Sequence, residues 1–365
     1  MTSIGYKQTL YWGNEATYGT PVTVDRPYGL VQGVNPTENN TLIKIRTMGG
    51  TRDYSNIVPG KFEVSGSFNY YLQGADFLRQ AMGEDTGTTA TIDSGPRFHG
   101  TSGSAYLHIM GSAASPDADN FPSFTIEFAD TEDSGAAADT KNLNRVYRGA
   151  RVNTLSIASS VDEPVMVNVD WMAADVNLST AAAQSVAEQT VDPYVFYQGQ
   201  VYSTSGEITA YTVVDDDSKL CQVNSFDLNV NNNLEAIWYI SGTCAPAQST
   251  RGLKNLLVKG RDYEASLGMH FQNKTMYERF LGAAGATVPQ NTLDKYQIVL
   301  DFVRSGEIGV TYGATDSWIR MVLGSCAFNS INITGSPEDV VAQNLDVFVE
   351  KAKWYVVDAI ADYSN

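Results

Sequence analysis

Five carboxylates stand out by position. Glu63, Asp170, Glu264, Asp346 and Glu350 alternate with apolar residues in stretches that read as strands, which puts each on a polar face. Paired carboxylates can do acid–base work on a glycosidic bond, but such a site wants aromatic rings beside them. Asp170-Trp171 is the one adjacent pair of that kind on a predicted strand. The histidines are three, His99, His108 and His270, and none belongs to an HExxH motif; GxSxG and GxxxxGK are absent too. "DDD" at 215–217 and "DTED" at 130–133 lack the spacing and glycine of a calcium loop and read as solvated turns. "GAAGAT" at 282–287 follows a helical pattern and reads as a helix stop, not a phosphate cradle. No cofactor, metal or catalytic group is expected. The carboxylates read either as an ordinary solvent face or as a functional surface.

The elements that carry them are strands. The chain holds 20 Tyr and 31 Gly among many Ser, Thr, Asn and Asp residues, a balance that favours strands joined by turns. "KFEVSGSFNYYL" places Phe62, Val64 and Phe68 on one face, and "RDYEASLGMHF" does the same with Tyr263, Ala265, Leu267, Met269 and Phe271. Each leads into a short helical pattern ending in glycine, "GADFLRQAMG" and "NKTMYERFLG", with Asn273 as a candidate cap of the second.

That likeness extends along the chain in one order. "RPYGLVQGV" (26–34) is echoed by "DPYVFYQGQV" (192–201), and "ENNTLIKI" (38–45) by "NNNLEAIW" (231–238). "SFTIEF" (123–128) is echoed by "YQIVLD" (296–301), and "GARVNTLSIASS" (149–160) by "SCAFNSINITGS" (325–336). Val165, Val167 and Val169 have a counterpart in Leu345, Val347 and Val349. Two domains of about 180 residues are also what 365 residues lead one to expect. The expected organisation is a first copy at 26–178, a linker at 179–191 and a second copy at 192–365, with insertions at 84–122 and 200–225. Residues 1–25 precede the first echo and are expected to form an N-terminal arm. Its Tyr11, Trp12 and Tyr18 would bury their rings on a neighbour or along the chain's own flank. Residues 49–60 and 242–259 are too long for tight hairpins, yet carry Ile57, Val58, Leu256 and Leu257, which a solvated loop has no need of.

Charge narrows the function. A net charge of −17 excludes a surface that grips nucleic acid through its phosphates, and it suits a surface that repels DNA. Cys221, Cys244 and Cys326 have no CxxC spacing and read as reduced, buried thiols. "MTSIGYKQTL" lacks a signal-peptide pattern, and no segment approaches the roughly 18 apolar residues of a membrane span.

The opening "WGNEATYGTPVT", the order strand, long loop, strand and Gly-terminated helix, and the segment "YRGARVNTLSIASSVDEPVMVNVDWMA" (147–173) together resemble the tail tube proteins of phages with long, non-contractile tails. The resemblance implies a mainly β chain, here two tandem β-sandwiches each with one short flanking helix. In that family one sheet joins those of neighbours into a barrel around a lumen, and rings stack through the long hairpin loop and the N-terminal arm. A doubled chain would form homotrimeric, pseudo-sixfold rings, with Glu63, Glu264, Asp170, Asp346 and Glu350 toward the lumen and residues 49–60 and 242–259 between rings. Its partners would be itself, tape measure, terminator and distal tail proteins, and genomic DNA passing without specific binding, with no membrane. The location would be the virion tail, after assembly in the host cytoplasm. A tail terminator, a contractile-type tube or a carbohydrate-binding sandwich are the alternatives.

Overall fold

Because side chains alternate along a strand, one polar and one apolar face per strand forces these sequences to stack as two layers with the apolar faces between. The computed structural model describes residues 7–50, 52–83, 90–91, 106–111, 121–130, 143–179, 183–206, 208, 218–239, 251–304, 317–337, 339–358, 360 and 363. His99, Cys244 and the acidic turns at 131–133 and 215–217 lie outside them, as does most of 84–122.

One layer is a continuous antiparallel sheet of eight strands. Its order begins with β3 (Leu30–Ile45), β4 (Asn56–Tyr71), β9 (Met166–Ala173) and the C-terminal part of β8 (Leu143–Ser160). β8 then pairs with β12 (Val223–Asn231), which leads to β15 (Asp262–His270), β18 (Ala342–Val349) and the C-terminal part of β17 (Ser317–Thr334). β3 pairs only with β4 and this part of β17 only with β18, so the sheet has two one-sided edges among the described residues.

The other layer is in two pieces. β2 (Arg26–Pro27), β1 (Gln8–Glu15), β7 (Ser123–Asp130), the N-terminal part of β8 and β10 (Asp175–Leu178) form the first. β11 (Gly199–Thr204), β16 (Tyr296–Arg304), the N-terminal part of β17 and β19 (Lys351–Asp358) form the second, extended by β6 (Tyr106–Met110) and β5 (Ala90–Thr91). β8 and β17 therefore each cross from one layer to the other, and both do so at a bulge. Phe124 faces Ala150 and then Ile126 faces Tyr147; Tyr296 faces Cys326 and then Ile298 faces Leu323. Gly149 (φ 60°) and Ser325 (φ 56°) take the left-handed backbone that each bulge needs. A second bulge recurs as well, between Val152 and Thr154 and between Phe328 and Ser330.

The helical patterns are shorter than the sequence suggests. A 3-10 turn (Asp76–Leu78) runs into α1 (Arg79–Met82), and α2 covers Thr275–Phe280. Gly83 (φ 70°) and Gly282 (φ 118°) end them, and the Asn273 carboxamide oxygen accepts from the Thr275 amide at 2.9 Å. The Asn-led strand at 231–238 is corrected: β12 ends at Asn231, and beyond it only β13 (Glu235–Ile237) pairs with β14 (Asn255–Leu257). "SFDLNVN" (225–231) carries the clean alternation instead.

Of the two places open to the N-terminal rings, Trp12 and Tyr11 take the one on their own chain. β1 is a strand of the first outer sheet, and Trp12 is 0% exposed within its own chain, edge-on to Phe77 at 5.2 Å and near Tyr28 and Phe124. Tyr11 is buried and donates to Glu188 at 3.1 Å; burial, followed by the Glu188 charge, pushes its phenol up to about 12. Tyr18 lies under the Arg151 guanidinium, 4.6 Å from its carbon. The physical reason is pairing: β7 offers β1 an eight-residue edge, and an aromatic strand gains more by covering its own core than by waiting for a neighbour. Trp12→Ala should therefore cost about 3–5 kcal/mol of folding stability in denaturant unfolding; an unchanged midpoint would mean that Trp12 serves assembly alone. Two buried ion pairs lock the outer sheets, Arg148 with Asp175 and Arg320 with Asp301, each at 2.8 Å. Residues 183–191 are no free tether either, since the Gln184 amide donates to Glu127 at 2.6 Å and Gln73 to the Val191 carbonyl at 2.5 Å.

Candidate functional site

Register decides what the outward face of the eight-stranded sheet displays. Val64, Phe68, Val167, Val169, Leu155, Ile157, Phe226, Leu228, Val230, Leu267, Leu345 and Val347 are buried, so their alternates form the opposite face. That face carries Glu63, Asp170, Asp227, Asp262, Glu264 and Asp346, set among Ser, Thr and Asn residues. Asp170 accepts from Thr154 at 2.6 Å and Asp346 accepts from Ser330, the same pair at matching bulges. Asn168 donates to Ser156 at 3.1 Å. Glu63 accepts from Lys61 at 2.5 Å and Asn39 at 3.3 Å; Lys61 also lies 4.5 Å over the Trp238 ring. Partial burial raises the Asp227 carboxyl above its ordinary range. Carboxylates gathered on one face attract small cations and repel phosphates.

Four of the five expected carboxylates therefore share one surface. Glu350 sits just past β18 at its rim, lining a shallow depression with Asp262 and Glu264, and its hydrogen bond to Lys295 (2.7 Å) holds its carboxyl below the ordinary range. Glu63 lies four residues before Ser67, which faces Asp170, whereas the residue four before Ser266, which faces Asp346, is Asp262 and not Glu264. Asp227 and Asp262 escaped the sequence reading, although the alternation of 225–231 signals the former. His270 lies exposed at one end of this face, whereas His108 is buried and stacked on Tyr363 at 3.7 Å. Trp171 is buried, so Asp170-Trp171 offers a sugar no ring to stack on. Among the described residues no group of His, Cys, Asp and Glu could hold a metal ion, and no helix is long and apolar enough to cross a membrane.

The long hairpin is the second notable surface. β3 and β4 continue beyond the end of β9, so Ile57 and Val58 lie in a strand, facing Lys44 and Ile43, instead of a loop. Leu42, Ile43, Ile45, Met48, Tyr54 and Ile57 are exposed along it. Leu256 and Leu257 differ from this. Leu256 is buried in its own chain, its carbonyl accepting from Arg151, and Leu257 is at the edge of exposure. Residues 242–250 lie outside the described set.

An acidic sheet face and a projecting apolar hairpin are the two surfaces that stand out among the described residues. A family model for phage tail tube protein matches residues 5–347. The chain belongs to the phage tail tube family. The matched span includes β1, consistent with Trp12 lying inside the fold. A tail tube protein is a structural component of the virion tail, and membership implies assembly with itself and with other tail components. No curated protein matches the chain.

Proposed function

We propose that this tail tube protein is two fused tube units, at 26–178 and 192–365 with β1 added to the first, and that three chains close a pseudo-sixfold ring whose lumen passes DNA. The observation that carries the reading is the seam in the middle of the eight-stranded sheet. There β12 pairs with β8, Asn231 facing Thr154 and Asn229 facing Ser156. In this reading β3 holds the place of β12 and β17 the place of β8, and both have a free side among the described residues. Repeating that seam between chains closes a barrel and leaves no edge to aggregate.

The pairing is specific in register. Asn39 faces Glu63 as Asn231 faces Asp262, and Ser330 faces Asp346 as Thr154 faces Asp170. Asn39 of one chain then falls opposite Ser330 of the next, and Thr37 opposite Asn332. In antiparallel strands directly opposed residues have Cα atoms about 4.5–5.5 Å apart, within disulfide reach. Thr37→Cys with Asn332→Cys should give covalent trimers and nothing larger on a non-reducing gel of isolated rings. Covalent hexamers, or rings with no cross-link, would overturn the register and the trimer. Electron microscopy of the same material tests the function: stacked rings with this acidic face inward are expected, and a lumen lined by Lys and Arg would refute it.

A further inference from the structure

An asparagine occupies the second bulge in both units, Asn153 between Val152 and Thr154 and Asn329 between Phe328 and Ser330. Within the chain Asn153 acts as a clip on the seam. Its carbonyl accepts from the Asn232 amide at 2.8 Å, and its side-chain oxygen accepts from the Leu234 amide at 3.0 Å. Asn232 returns the contact, its carboxamide donating to the Val152 carbonyl at 3.0 Å and to the Ala81 carbonyl at 3.1 Å. The Asn232 oxygen accepts from Arg261 at 2.7 Å, and the residue is 0% exposed. β3, at one edge of the sheet, carries the same residues. Asn39-Asn40-Thr41-Leu42 ranks with Asn231-Asn232-Asn233-Leu234, because Asn39 faces Glu63 as Asn231 faces Asp262. Here Asn40 and Leu42 are exposed, and so is Asn329 at the opposite edge. The Asn40 oxygen accepts from Arg251, as that of Asn232 does from Arg261, which leaves its NH2 group to donate.

We propose that Asn329 and Asn40 form the same clip between chains. Asn329 of one copy accepts from the Asn40 and Leu42 amides of the next, and the Asn40 carboxamide donates to the Phe328 carbonyl. The inference rests on the three-chain ring and adds the side chains that fix its joints. A second copy is the occupant because the fold already contains the finished contact once, in the seam between β8 and β12, and each exposed half is the counterpart of a buried half. Backbone direction agrees. The Asn232 amide points to β8, so the amide of Asn40 points away from β4, and the two-residue period sends that of Leu42 the same way. Pro36 holds the rank of Leu228 on this side and has no amide to give. It guards the exposed edge against indiscriminate strand addition, and it leaves the joint between chains one ladder bond short. The asparagines then carry the register.

Asn329→Ala in the full-length chain should leave the unfolding midpoint of the single chain unchanged, since Asn329 is exposed there, whereas Asn153→Ala should lower it. In sedimentation velocity Asn329→Ala should raise the concentration at which half the chains are in rings about thirtyfold. A Leu42 amide left without its acceptor is worth on the order of tenfold per joint, three joints make about a thousandfold, and concentration enters the closure of three chains as its square. Aspartate separates the two roles. Asn329→Asp keeps the acceptor and should close rings within about threefold of the wild-type concentration, whereas Asn40→Asp adds the same charge, loses the donor and should be as impaired as Asn329→Ala. Ring closure by Asn329→Ala at the wild-type concentration, or equal closure by the two aspartate variants, would overturn the clip and leave the three-chain ring standing. Wild-type rings of six chains would take both down.

Discussion

Replacing Ile43, Ile45, Met48 and Ile57 together by serine is expected to leave a folded, soluble chain that forms no tubes. All four are exposed in the single chain, so their loss removes no core contact and costs the fold little. In the stacked state each would bury apolar surface worth about 25 cal/mol per Å², and four such side chains reach several kcal/mol even after ordering costs. That corresponds to a loss on the order of a hundredfold or more in each ring-to-ring contact. Sedimentation velocity separates free rings from polymer; polymer of normal length from this variant would show that the hairpin does not stack the rings.

The second large effect concerns charge. Asp170→Lys, Asp227→Lys, Glu264→Lys and Asp346→Lys in one chain should leave tubes intact and make them hold DNA. These side chains point away from the apolar layer, so the substitution changes the face and spares the core. Each lysine that meets a phosphate releases counterions, and four such contacts would weaken about a hundredfold between 50 and 200 mM salt. Wild-type tubes should show no DNA retention at either salt. The check is DNA co-sedimentation with purified tubes across that range, followed by the yield of DNA delivered by virions carrying the variant. Retention without salt dependence, or no retention, would place these carboxylates outside the channel.

Much of this was legible from periodicity. The alternation around Val64, Leu267 and Val347 reads directly as faces of strands, and the glycines after both helical patterns do end them at positive φ. Four of the five singled-out carboxylates reach one surface because alternation fixes the face regardless of register. Rank along the strand is another matter. Glu63 takes its rank from the pairing of Ser67 with Asp170 and Asp262 from that of Ser266 with Asp346, partners too distant in sequence to leave a mark in the local pattern. Trp12 misled for a related reason. β1, "QTLYWGNE", has no echo in the second half of the sequence, so the N-terminal strand looked unmatched and its pairing with β7 was not visible in the pattern. The exposed hairpin was visible as apolar residues in a long loop, but not that β-pairing carries them outward as a rigid two-stranded projection.

If rings form as proposed, the seam between β8 and β12 would speed their closure. Since that pairing lies within one polypeptide, it forms at an effective concentration set by the chain and not by the cell. In the proposed ring of three chains, half of the six joints would then exist before any two molecules meet. The yield of closed rings rises with the cube of subunit concentration where six separate units would demand the sixth power, and only two encounters precede closure instead of five. At the low abundance of early synthesis a fused chain of this kind would close rings while an unfused one was still mostly monomer, and partial rings with open strand edges would be correspondingly rare. The covalent link thus acts on when the structure appears as much as on what it is.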